Sequence, residues 1–462
     1  MSDATEVLRN EAPEPISADF STGQNVDNAG ASLALRNLRG VFILLLLSFH
    51  SPLPYLASAK APTAGFDQPP FDWLAFPIVD SRRWLGFDIF CAWEDVFLMG
   101  LMFFISGLFV WPSLSRKGSV RFLCDRLSRL GPPVVFGLIV VMPIALYPVY
   151  RVVAVDPSVS AYISAYLALP FWPNGPMWFL WLLMAFTIGV AAIHRVAPGS
   201  VPHLGRLSSR AAALPSRCFL GLTVAAAVAY VPLALTFGPW KWTTLGPISF
   251  QLSRPLLYAI YYFAGVGMGA HGLGRGLLAT EGGLARRWRV WLGAAPASLM
   301  LWMGLTGLTL TYVGGAPLIV QFASAVSYAL ASVCGILFML AISLRFGVVR
   351  SPTLNVLSTN ALGIYLMHYA PLVWLQYAMA GVPLFAVVKA PIVFVGTLAL
   401  SLTATIGLRF VRLGARLIGE EPWDVDSAPF EADSGLSAGR GPARLGGMRP
   451  PEGGEIDSQI PG

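Results

Sequence analysis

Between Val96 and Gly419 the chain carries three carboxylates, Asp125, Asp156 and Glu281, out of 24 in the whole sequence. Six of the others lie in the first 27 residues, six between Asp67 and Asp95, and nine after residue 419. An ionised acid in hydrocarbon costs several kcal/mol, so a long stretch this poor in acids reads as chain dissolved in lipid. Composition agrees: 55% of residues are hydrophobic and 12% charged, where a soluble domain carries about 25% charged. The mean hydropathy is +0.65. A soluble enzyme, a nucleic-acid binder and a disordered scaffold are poor explanations of such a chain, despite its pI of 9.3.

Runs of about 20 apolar residues, each long enough to cross a bilayer as a helix, fall at 38–57, 92–112, 131–151, 177–194, 218–237, 254–271, 289–310, 318–343, 355–379 and 386–408. The expected fold class is an all-α polytopic integral membrane protein with about ten transmembrane helices. Alternate loops hold 20 Lys and Arg against 7 in the opposite set, which places both termini in the cytoplasm. Residues 1–35 read as a disordered acidic tail, 36–412 as the membrane domain, and 413–462 as a disordered Gly/Pro-rich tail. A short apolar piece around Ala161–Phe171, bounded by Pro170 and Pro173, reads as interfacial or re-entrant. The four cysteines are scattered, which argues against a disulfide framework or a metal site. No internal repeat of the transporter kind is visible.

The informative residues are the polar ones inside these runs. His50 follows Arg39 by 11 positions in LRGVFILLLLSFH, a helical rise of roughly 16 Å. It is either a satisfied core histidine or a functional group, the default reading for an ionisable residue in a membrane. His368 lies at similar depth in the ninth run. It would share a cavity with His50, or merely bond a carbonyl opened by Pro371. Glu94 and Asp95 are expected to open the second helix, where a helix N-terminus tolerates acids; a carboxylate there would also orient an imidazole base. Arg126 and Arg129, three apart, put two guanidiniums on one helix face, an arrangement suited to phosphate. In PNGPMWFLW, Trp172 and Trp178 fit an interfacial belt or a platform for a sugar ring.

These segments resemble the membrane acyltransferase 3 family. The matching pieces are Arg39-x10-His50, FFISGLF (Phe103–Phe109), RLSRLGPP with Arg126 and Arg129, GPMWFLW (Gly175–Trp181) and ALGIYLMH (Ala361–His368). They recur in family order over residues 36 to 410. Within the family, the FFISG and GPMWFLW forms look most like the glucan biosynthesis protein C branch, succinyltransferases of periplasmic glucans. Pro176, Met177 and Asn174 depart from what many relatives carry at these positions.

The resemblance implies an acyltransferase of the multi-pass inner (cytoplasmic) membrane, transferring groups other than aminoacyl groups. Acyl-CoA, acetyl or succinyl, would be the co-substrate, with no metal. Its phosphates would dock at Arg39, Arg126 and Arg129, and its arm would reach His50. That histidine would act as general base or transient acyl carrier, with His368 and Glu94 or Asp95 assisting. Trp172, Asn174, Trp178 and Tyr365 would meet the carbohydrate or other hydroxyl acceptor. The competing reading is a proton-coupled transporter or flippase of a lipid-linked or glycan substrate, which would release no free CoA.

Overall fold

The computed structural model describes residues 17–213, 215–245 and 248–422. Helix α1, Ser17–His50, starts well before the first apolar run. Ala31, Ala34, Leu35, Leu38, Phe42 and Leu46 recur at one- to four-residue steps and are buried, so a single apolar face reaches back to Ala31, inside the segment expected to be tail. The backbone is helical from Ser17. The expected tail residues 1–16 and 423–462 lie outside the described residues. Pro52 and Pro54 follow the last turn of α1, and their missing N–H groups stop the helix at His50.

Helix α2 (Leu85–Leu108) runs into α3 (Val110–Lys117). Helix α4 (Ser119–Phe136) continues through a wider turn, Gly137–Val141, into α5 (Met142–Val153). The short α6 (Val159–Leu167), capped by Ser158, occupies the piece expected to be interfacial. After α7 (Trp178–Val196), α8 (Ser200–Ala213) and α9 (Pro215–Phe237) comes an antiparallel hairpin, β1 (Trp242–Leu245) and β2 (Ile248–Gln251). Then follow α10 (Pro255–His271), α11 (Gly283–Arg286), α12 (Trp288–Leu310) and α13 (Leu318–Phe346). The described chain ends with α14 (Pro352–Thr359), α15 (Ala361–Met367), α16 (Tyr369–Met379), α17 (Ala386–Arg409) and α18 (Arg412–Leu417). The expected C-terminal tail is thus ordered through α18, because Gly414, Ala415 and Ile418 are buried.

Eight helical stretches among the described residues are long and apolar enough to cross a bilayer. The two other expected spans differ for physical reasons. Helix α10 has 17 residues, at the lower limit for crossing. The ninth run is three helices, interrupted at Asn360 and His368. Helix α13 is the most enclosed, packed by α2, α9 and α12, while α1 lies against α2, α13 and α14.

Residues 51–84 fold over the end of the bundle where α1 stops. Lys389, fully buried, donates to Asp80 Oδ2 at 2.6 Å, and the Asp80 N–H donates to the Pro54 carbonyl at 3.0 Å. Phe66 stacks on Trp73 and both pack with Tyr150, Tyr162 and Phe171.

Helices α2 and α10 touch through backbone. A side chain at Gly265 would collide with the Phe104 carbonyl, one at Gly269 with that of Leu108, and one at Gly107 with that of Tyr262. This is the small-residue packing by which membrane helices approach closely. Gly265→Leu should therefore part the two helices and cost about 1–3 kcal/mol, whereas Gly304→Leu on α12, with open space at its Cβ, should be neutral. Thermal unfolding of both variants in detergent, followed by size-exclusion profile, checks this.

Candidate active site

The ninth run brings His368 to His50. Pro371 has no N–H for the Met367 carbonyl, but the backbone at His368, between α15 and α16, stays α-helical (φ −67°, ψ −31°), its N–H donating to Ile364 at 2.9 Å and its carbonyl accepting from Leu372 at 3.0 Å. The two imidazole centroids are 5.3 Å apart, with planes inclined by 58°. His50 Nδ1 lies 2.8 Å from the Leu46 carbonyl, and His368 Nδ1 2.5 Å from that of Tyr365. A carbonyl only accepts, so each Nδ1 carries the proton and each neutral ring keeps its lone pair at Nε2. His368 Nε2 is buried without a hydrogen-bond partner. His50 is half-buried, and its own carbonyl accepts from Gln376 Nε2 at 2.8 Å, which ties α16 to the end of α1. The carbonyl that His368 takes is that of Tyr365, not the Met367 carbonyl that Pro371 deprives of a donor.

The acids do not take their expected places. Helix α2 starts at Leu85 with Trp84 as its N-cap, so Glu94 and Asp95 lie in its third turn and open nothing. The first-turn acid is Asp88, whose carboxylate accepts from the Ala57 and Ser58 N–H groups. Asp95 makes a two-pronged pair with Arg254, at 2.7 and 2.6 Å. Arg254 also lies over the Tyr328 ring, 5.3 Å from its centroid. Glu94 is fully buried and accepts from Ser48 Oγ at 2.9 Å. Ser48 is two residues before His50, and a step of about 100° per residue points the two side chains to different faces of α1. The groups that orient both imidazoles are backbone carbonyls, not carboxylates.

The GPMWFLW and ALGIYLMH segments meet: the Tyr365 hydroxyl donates to the Pro176 carbonyl. Gly175 has a positive φ of 44°, and its missing Cβ leaves room for Met142 and Tyr369. Buried Asn174 donates to the Ser249 carbonyl at 3.3 Å and so fastens this loop to the hairpin. Trp172 and Trp178 do not form one platform. Trp178 stacks on Tyr258 with centroids 5.8 Å apart, while Trp172 stands 62% exposed.

Arg39, in the body of α1, lies with Arg126 and Arg129 within electrostatic reach of one another. Arg39 and Arg129 are exposed and Arg126 is half-buried. Sequence reasoning missed four residues around the two ends: Arg254, Lys389, Gln376 and Glu420. The first two had a signal, since a cation beside an apolar run needs an acid and the acids were few. Gln376 and Glu420 had none.

Against this geometry stands the family comparison. The acyltransferase domain of the acyltransferase 3 family matches residues 32–406, and the chain belongs to that family. No curated protein and no solved structure matches it significantly. The chain is thus a membrane acyltransferase.

The Arg254–Asp95 pair should behave as structure. Arg254→Met leaves the partly buried Asp95 carboxylate without its partner and should cost about 1–3 kcal/mol, while adding Asp95→Asn should restore much of the loss. Thermal unfolding of the single and double variants measures it; unchanged stability with lost acyl transfer would instead give Asp95 a chemical role.

Proposed function

We propose that this protein is an O-acyltransferase that moves an acetyl or succinyl group from cytoplasmic acyl-CoA to a hydroxyl of a glycan or related acceptor on the outer side. The observation that carries this reading is the pair of imidazoles, centroids 5.3 Å apart, whose Nδ1 atoms are committed to backbone carbonyls. Arg39, in the body of α1, and Arg126 and Arg129 beside it supply the charge that a polyphosphate needs. The 11 residues from Arg39 to His50 span roughly 16 Å as helix, a distance suited to the pantetheine arm.

In this mechanism His50, the accessible ring, takes the proton of the acceptor hydroxyl on Nε2. The oxygen attacks the thioester carbonyl carbon, the C–S bond breaks, and CoA leaves as thiolate, to be protonated by the imidazolium. His368, buried against His50, is a positioning residue that fixes the first ring and excludes water from behind it. Tyr365, with its hydroxyl held by Pro176, sets the position of the helix that carries His368. The membrane topology that fits this is ten crossings of the inner membrane, with α10 and the interrupted α14–α16 as two of them. The motif forms favour a periplasmic glucan as acceptor, as in the glucan biosynthesis protein C branch.

Purified protein supplied with acetyl-CoA or succinyl-CoA and a glucan acceptor should release free CoA, read as thiol, only when the acceptor is present. His50→Ala should lower kcat by about 10²–10⁴-fold with the fold intact by size exclusion. Wild-type rates in that variant would remove His50 from the chemistry, and no thiol release by the wild type would overturn the donor.

A further inference from the structure

A carboxylate lies within electrostatic reach of the arginine cluster beside α1. After α18 the chain turns at Gly419, whose φ is +67°; a Cβ there would press on the Arg129 carbonyl, Leu362 and Pro133. Three consecutive residues are then gripped. Arg129 Nε donates to the Gly419 carbonyl at 3.3 Å, the Gly363 N–H donates to Glu420 Oε1 at 3.1 Å, and Arg409 Nε donates to the Glu421 carbonyl at 2.9 Å. Ile418, fully buried, anchors the turn. The Glu420 carboxylate lies within electrostatic reach of Arg129, Arg409 and Arg39. Burial pushes its carboxyl above the ordinary range, against the pull of the Gly363 N–H and these guanidiniums.

Mutually repelling guanidiniums that are open to solvent need counter-charge, and the fold provides it from a segment that the sequence places in an acidic tail. Glu420 is half-buried, so it is neither sealed in the core nor free in solution. An incoming phosphate carries more charge than a carboxylate and presents more acceptor oxygens to the same forks.

We propose that Glu420 is an internal counter-anion of the arginine mouth, which the phosphates of the donor displace, and that it thereby sets donor affinity. This rests on the acyl-CoA reading of that mouth. The residue acts through the arginines, as a positioning and affinity-setting group that never touches the transferred acyl carbon. Donor binding then releases the turn at 418–422 from Arg129.

Glu420→Gln separates charge from shape, because the amide oxygen still accepts from Gly363 and only the negative charge is lost. In the full-length protein in nanodiscs, titrated with CoA, this variant should bind about three- to tenfold more tightly than wild type. The KM for acetyl-CoA should fall in parallel and kcat stay within about twofold. Equal or weaker CoA binding by Glu420→Gln, with the wild type binding, overturns the inference and leaves the donor reading standing; no CoA binding by the wild type overturns both. A second measurement needs no variant: saturating CoA should speed amide hydrogen exchange in the wild-type peptide covering residues 415–422. Unchanged or slower exchange there counts against displacement.

Discussion

An ion inside an apolar bundle must find its counter-ion there, since water is absent and unpaired charge costs several kcal/mol. That constraint arranges the histidine end of this protein. Arg254, nearly buried at the foot of α10, takes both oxygens of Asp95 on α2. Lys389 on α17 takes Asp80 from the loop that covers the bundle. Each pair joins elements far apart in sequence, so each works as a positional lock. The glycine contacts between α2 and α10 then bring the same two helices to backbone distance.

Within that frame the two imidazoles are placed by backbone and not by acids. His50, in the last turn of α1, turns its Nδ1 back to the Leu46 carbonyl. His368 turns its Nδ1 back three residues to the Tyr365 carbonyl. Neutral rings with fixed tautomers suit a low-dielectric site, where a carboxylate partner would itself need desolvation.

The opposite end follows a different rule. Arg39 and Arg129 face solvent, so their charges are tolerated, but they repel one another; the turn after α18 answers with backbone carbonyls to Arg129 and to the buried Arg409. Segments that composition assigns to tails thus belong to the folded unit at both edges, through Ala31, Ala34 and Leu35 on one side and Ile418 to Glu420 on the other. Acidic, Gly-rich composition outweighs a few buried apolar residues in any local reading, which is why the boundaries moved.

The sequence by itself determined that the chain is a helical membrane protein. Hydrophobic run length and the near-absence of acids are local properties, and lipid acts on each segment separately. It also marked His50, His368 and Arg39, because polar groups inside apolar runs stand out without any partner being known, and Arg126 and Arg129 by a three-residue spacing that puts both on one helix face. Pairing was beyond it. That Asp95 belongs to Arg254, that Glu94 meets Ser48 on a face away from His50, that Trp172 and Trp178 part company, and that Arg129 meets the Gly419 carbonyl all depend on which helices adjoin. That is decided by side-chain packing among the helices, a nonlocal property that spacing along one helix does not encode.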